Sequence, residues 1–226
     1  MKYDNILKGK FILRPNRFIA HIEINGKVEV CHVKNTGRCK ELLIPSVTVI
    51  VQENNNPKRK TKFSLISVIK EKRIINMDSQ VPNKIVYEWI LNGNLLKDIT
   101  LIKPETKYNN SRFDFYVETK NRKIFIEVKG VTLENQGIVK FPDAPTERGL
   151  KHVKELCECV KEGYDAYIIF VVQMKDVIHF EPNIETHKEF AEALKEAKKQ
   201  GVHILAVDCE VNEDSINIRD YVKVRV

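Results

Sequence analysis

The chain has 226 residues, 42% of them hydrophobic and 31% charged, and a formal net charge of +7. That length can bury a sizeable core in one or two domains, and no apolar run approaches the ~20 residues a membrane-spanning helix needs. Five cysteines without a C-x-x-C pair (Cys31, Cys39, Cys157, Cys159, Cys209) and no apolar leader argue against a disulfide framework or thiolate zinc site and for a cytoplasmic protein.

The first elements read as strands. Residues 10–13 and 17–24 alternate in polarity around a break at Arg14-Pro15-Asn16, and Asn25-Gly26 is a two-residue hairpin signal leading into 27–33. After Asn35-Thr36-Gly37 a short helical patch is expected over 38–43, stopped by Pro45, and then a strand over 46–52. Residues 53–60 form a polar, basic loop, and 63–70 and 73–77 supply further strands. Five strands and one short helix fit a small closed barrel of the oligonucleotide/oligosaccharide-binding (OB) type. Residues 1–83 hold 16 Lys+Arg against 7 Asp+Glu, a surplus of +9, while 84–226 hold 22 against 24. A basic half joined to a near-neutral half points to a polyanion-binding module, with Arg14, Arg17, Arg38, Lys58, Arg59 and Lys60 as candidate DNA contacts. The alternative is that these cations only solvate the barrel.

Val81-Pro82-Asn83 opens a helix with an Ile85, Trp89, Ile90 stripe, ending at Asn92-Gly93, which joins the two parts. The pattern then turns to mixed α/β, so residues 1–83 and 84–226 are expected as two domains. Strands are predicted over 101–103, 112–118 and 123–128, followed by a connection over 130–145 with little regular structure. A helix over 146–162 has Thr146 as its N-cap and Gly163 at its stop, and 167–172 is a strand apolar on both faces. A helix over 187–200 and a buried strand over 204–207 complete the reading, and that last strand argues against a helix-turn-helix there. No G-x-G-x-x-G or Walker sequence is present, and nothing marks an obligate protein partner.

The chemistry concentrates in two charged sets inside apolar strand sequence. Alternation puts Arg112, Asp114 and Tyr116 on one side of their strand, and Phe125, Glu127 and Lys129 on one side of the next. Burying unpaired ions in a run such as Ile-Phe-Ile-Glu-Val-Lys is costly. If the strands are antiparallel neighbours, Asp114 and Glu127 can bracket a divalent cation through oxygen, leaving positions for water and phosphate as Mg²⁺ (or Mn²⁺) prefers. Lys129 would then orient the attacking water or neutralise the phosphate. Glu88 on the joining helix, with Glu105 second, is the candidate for a further, helical carboxylate, the alternative being a surface glutamate. Arg148 and His152, four residues apart at a helix start, are candidate phosphate contacts. The competing reading is a hairpin with one wet face carrying an ordinary Asp114–Lys129 ion pair, worth only ~0.2–1 kcal/mol.

Several segments together resemble one family. Asn35-Thr36-Gly37-Arg38 with Glu41-Leu42-Leu43, Arg112-Phe113-Asp114-Phe115, Glu127-Val128-Lys129-Gly130-Val131-Thr132-Leu133, and Phe141-Pro142-Asp143-Ala144-Pro145-Thr146-Glu147-Arg148-Gly149 are similar to the sugar fermentation stimulation protein A family, in order over nearly the whole chain. The resemblance implies an N-terminal OB-type domain, a C-terminal domain similar to the PD-(D/E)XK nucleases, non-specific DNA binding, and a regulatory link to maltose metabolism. Asp114, Glu127 and Lys129 fall on the nuclease-like motif. Phe113 stands where the wider superfamily often has proline, a difference of backbone shape more than chemistry. The resemblance leaves two readings: a metal-dependent nuclease, or a DNA-binding regulator whose nuclease-like domain does not catalyse. A sugar sensor finds little support, since the single Trp89 lies in a buried stripe.

Overall fold

In the computed structural model, which describes all 226 residues, the N-terminal alternation closes on itself. The strands β1 (Ile6–Asn16), β2 (Ile19–Ile24) and β3 (Lys27–Val33) form an antiparallel meander. From the other edge of β1 the sheet continues through β4 (Thr48–Glu53), β5 (Phe63–Lys70) and β6 (Arg73–Asn76). A parallel pairing of β3 with β5 closes the order β3-β2-β1-β4-β5-β6 into a barrel filled by Ala20, Ile22, Cys31, Val49, Val51 and Leu65. Asn25 and Gly26 both take positive φ (51° and 75°), the backbone a tight hairpin of this twist requires. Where β1 crosses β2, a Cβ on Gly9 would lie 2.6 Å from Ile22 Cγ2, so only glycine fits.

Two local expectations fail here. Rather than breaking at Arg14-Pro15-Asn16, β1 runs through them, with register shifts after Phe11 and Leu13. Residues 38–43 are turns, not a helix: Cys39 and Ser46 sit at positive φ (45° and 71°), and buried Leu42 and Leu43 are pinned into the barrel core. A helix of one turn and a half has too little hydrogen bonding to resist that pull.

The second part is built on a nine-stranded mixed sheet. It begins with α1 (Val81–Leu91), which has Pro82 in its first turn, so the expected division at 83/84 falls inside this helix. The hairpin of β7 (Ile99–Tyr108) and β8 (Ser111–Thr119) leads to β9 (Lys123–Val131). The 130–145 connection is not irregular throughout, because β10 (Glu134–Asn135) and β11 (Ile138–Phe141) form a small hairpin within it. Then follow α2 (Glu147–Lys161), β12 (Asp165–Val172), β13 (His179–Pro182), α3 (Lys188–Lys199), β14 (His203–Val211) and β15 (Ile216–Val224). The order is β10-β11-β13-β15-β14-β12-β9-β8-β7, with β9, β12 and β14 parallel.

Each helix position follows from its apolar face. Thr146 caps α2 by accepting from the Gly149 amide at 3.1 Å. Val153 and Leu156 of α2, with Phe190 and Leu194 of α3, pack on one side of the sheet against Phe125 and Phe170. Val81, Ile85, Val86 and Ile90 of α1 cover the other side, against Ile124, Ile126 and Ile169. β9 is therefore clamped between α1 and α2. No helix is long and apolar enough to cross a membrane.

Polar contacts lock the barrel to this sheet. Gln173 Nε2 donates to Asn76 Oδ1 (2.9 Å) and to the Asp78 carbonyl (3.1 Å), and within the barrel Lys34 pairs with the buried Asp78 carboxylate at 2.9 Å. Asp143 accepts from the Arg38 amide at 3.1 Å, joining the 141–145 segment to the barrel loop. At the end of β9, a Cβ on Gly130 would meet Gln173 Oε1 at 2.6 Å and Pro82 Cγ at 2.9 Å.

Candidate metal centre

The alternating side chains of β9 are divided between two cores. Ile124, Ile126 and Val128 belong to the α1 side, and Phe125 to the α2 side. Glu127 therefore points toward α2, where it is 2% exposed. Its Oε1 accepts from two donors, the Lys129 ammonium and Nδ1–H of His152 on α2. Its Oε2 is buried and has no partner. This is no wet hairpin face, and Lys129 pairs with Glu127 rather than with Asp114.

Asp114 arrives by a break in strand regularity. The β8–β9 ladder ends at Phe115↔Ile126. The Val128 amide then donates not to a carbonyl of β8 but to Asp114 Oδ2, at 2.7 Å. Oδ1 of the same carboxylate accepts from Asn83 Nδ2 of α1, also at 2.7 Å. The expected alternation of Arg112, Asp114 and Tyr116 fails at this point. Phe113 packs on Phe125 (5.5 Å) and edge-on to His152 (5.9 Å), whereas Phe115 stacks on Tyr87 of α1 (6.0 Å). Tyr116 also meets Phe125, at 5.0 Å, so β8 switches faces across Asp114.

The electrostatics of the two carboxylates diverge. Burial first, and the charge of Glu127 second, push the Asp114 carboxyl up to about 6. Burial also works to raise Glu127, but the His152 hydrogen bond and the Lys129 charge outweigh it and hold that carboxyl below the ordinary glutamate range. The result is one firmly ionised carboxylate with an unpartnered oxygen beside a second carboxyl strained by its neighbour's charge. Buried polar atoms normally have partners, so Glu127 Oε2 stands out as a free acceptor at this position. An all-oxygen donor pair with surplus negative charge suits a hard divalent cation. No set of three His, Cys, Asp or Glu side chains gathers into a metal cage, so these two carboxylates are the whole protein-derived donor set.

The other sequence-derived candidates scatter. Glu88 lies on α1 but pairs with the Met1 ammonium at 3.1 Å, half-exposed; α1 reaches the carboxylates through Asn83 instead, five residues away and on another face. Glu105, on β7, is exposed and paired with Arg112 at 3.3 Å. His152 is buried against Glu127, while Arg148 is exposed. Arg14 donates to four carbonyls, of Arg17, Asn35, Gly37 and Arg38, which makes it the clamp of the barrel loop. Arg59 is likewise engaged by Asn54 and Ser64. Arg17, Arg38, Lys58 and Lys60 remain exposed on the barrel. The sequence reading missed Asn83 and the true place of His152. Asn83 gave no signal beyond a helix start, whereas His152, with Val153 and Leu156, lies on the buried side of an amphipathic helix.

Comparison with known proteins sets this geometry in context. Residues 80–215 match the family model described as the sugar fermentation stimulation protein RE domain, and residues 12–77 match the SfsA N-terminal OB domain. A sugar fermentation stimulation protein homolog of Clostridium beijerinckii is 78% identical over 224 residues, 99% of each chain. The chain belongs to the sugar fermentation stimulation protein A family. A homolog from Ruminiclostridium cellulolyticum is 65% identical over the full length of both chains. The structure of Pyrococcus furiosus SfsA in complex with Ca²⁺ superposes with a TM-score of 0.88 at 28% identity, covering 100% of this chain and 98% of that one. The family fold is thus an N-terminal OB barrel followed by a mixed α/β sheet, as the sequence implied.

Proposed function

We propose that this family member is a DNA-binding phosphodiesterase whose Asp114 and Glu127 hold a Mg²⁺ or Mn²⁺ ion. The observation that carries the reading is the unpartnered, buried Oε2 of Glu127 beside the strained Asp114 carboxyl. The Ca²⁺ complex of the Pyrococcus furiosus relative supports it, since Ca²⁺ also seeks oxygen ligands. Bound there, a divalent cation supplies charge neutralisation at a scissile phosphate and a more acidic water. The protein does the positioning. His152 fixes one oxygen of Glu127 and leaves the other free, while Asn83 and the Val128 amide hold both oxygens of Asp114. Lys129, on the same strand face as Glu127, carries the positive charge that would orient water and offset charge building on the phosphate.

A second reading has its own observation. Lys129 and His152 both occupy Glu127 Oε1, and no third carboxylate joins, which also fits a nuclease-like domain that binds DNA without turnover and serves regulation of sugar metabolism. One experiment separates the two. Single-stranded, duplex and branched DNA are incubated with the protein in Mg²⁺ or Mn²⁺, alongside Asp114→Ala and Lys129→Ala. The phosphodiesterase reading expects metal-dependent cleavage, reduced at least ~100-fold in each variant, on the scale of a deleted electrostatic group in an active site. No cleavage under any condition, or cleavage by both variants equal to that of the parent, would leave only the regulator.

A further inference from the structure

Beside the carboxylates the turn of the β7–β8 hairpin and the first turns of α2 border an open, shallow cleft of about 390 Å³. Lys107, Ser111, Arg112, Arg148 and Lys151 line it, His152 forms part of its wall, and no carboxylate or apolar side chain lines it. Arg112 has a partner in Glu105 at 3.3 Å and Lys151 in Glu155 at 3.7 Å, which leaves Lys107 and Arg148 without an ion pair. Lys107 and Arg112 are directly opposed across the hairpin, where like charges repel. Arg148 and Lys151 sit in the first turns of α2, where the helix dipole disfavours cations. Ser111 is 8% exposed, and its buried hydroxyl has no partner. A bound anion would offset both repulsions and give that hydroxyl an acceptor. The same His152 that holds Glu127 borders the cleft, so its contents lie next to the candidate metal centre.

We propose that this cleft seats a backbone phosphate of a nucleic-acid strand, adjacent to the phosphate presented to Asp114 and Glu127. The inference rests on the nucleic-acid reading above. It directs the strand along the β7–β8 turn and the start of α2, not over the basic 53–60 loop of the barrel. Without an aromatic or apolar wall the cleft grips backbone and ignores base identity.

The test is DNA binding by the full chain in EDTA, followed by fluorescence anisotropy across a salt series. Both Arg148 and Lys151 are exposed, so the Arg148→Glu/Lys151→Glu protein should fold. Its affinity should fall at least ~10-fold, and the slope of log K against log salt should flatten by about one, since the one phosphate left unneutralised removes ~0.9. Lys195→Glu/Lys198→Glu on exposed α3 makes the same charge change and should leave binding within about twofold. Ca²⁺ titration of the cleft variant should match that of the parent, which separates this site from the metal centre. Equal weakening in both variants, or none in the cleft variant while the parent binds, overturns the cleft alone. A parent protein that binds no DNA overturns the nucleic-acid reading and the cleft with it. Inorganic phosphate bound there as tightly as the oligonucleotide would make it a free-anion site and also overturn the strand assignment.

Discussion

Asp114→Asn should make the metal-free protein more stable at pH 7.5 while removing its response to divalent ions. The sign follows from the raised carboxyl, near 6 in the fold against an ordinary aspartate value of 3.8. A group that holds its proton more tightly when folded costs stability once pH rises above its unfolded value, and the full cost is present above its folded value. For Asp114 that window runs from about pH 4 to about pH 6, and the full cost is on the order of 2–3 kcal/mol. The amide removes the charge and can keep the contacts. Its oxygen accepts from the Val128 amide, and Asn83 can turn its own amide to accept from the new NH₂ group. In a chain of this size the melting temperature should rise by roughly 4–10 °C at pH 7.5, and the gap should close by about pH 3.5. Saturating Mn²⁺ should reverse the order, because only the parent gains binding energy. Thermal melts at the two pH values, with and without Mn²⁺, check this, and a less stable metal-free variant at pH 7.5 would contradict it.

The second large effect belongs to His152. Its imidazole is enclosed between Phe113 and Glu127, so His152→Ala deletes a donor to a buried ionised carboxylate and opens a gap against an aromatic ring. Removing one partner of such a pair leaves the other charge under-compensated, at a cost of about 2–4 kcal/mol. With one ligand carboxylate no longer oriented, divalent-ion binding should also weaken by roughly 10–100-fold. His152→Gln, which retains a donor, should recover part of both. If the alanine variant melts with the parent and binds Mn²⁺ equally well, His152 is only a helix-face residue and this assignment fails.

The sequence showed some of this site directly and could not show the rest. Glu127 and Lys129 stood out because charge inside Ile-Phe-Ile-Glu-Val-Lys is expensive unless something is bound, and Asp114 because its strand had to neighbour theirs. The barrel, α1, α2 and the buried β12 were legible for the same kind of reason, namely period-2 or period-3.6 apolarity bounded by turns. What escaped was decided by tertiary contact. The face switch at Asp114 depends on a side chain replacing a ladder carbonyl, an event with no local periodic signature. Arg14 and Arg59 read as surface cations, but packing brought carbonyl, amide and hydroxyl acceptors to them. Glu88 lay on the right helix and faced the wrong way, while Asn83, with no charge to draw attention, made the contact.

The central claim is that Asp114 and Glu127 together form a divalent-cation site, and calorimetric titration of Mn²⁺ into the metal-free protein tests it most directly. Saturable binding is expected, abolished in Asp114→Ala and in Glu127→Ala and kept in Glu88→Ala and Glu105→Ala. Absence of saturable binding, or binding that survives both of the first two substitutions, would contradict it.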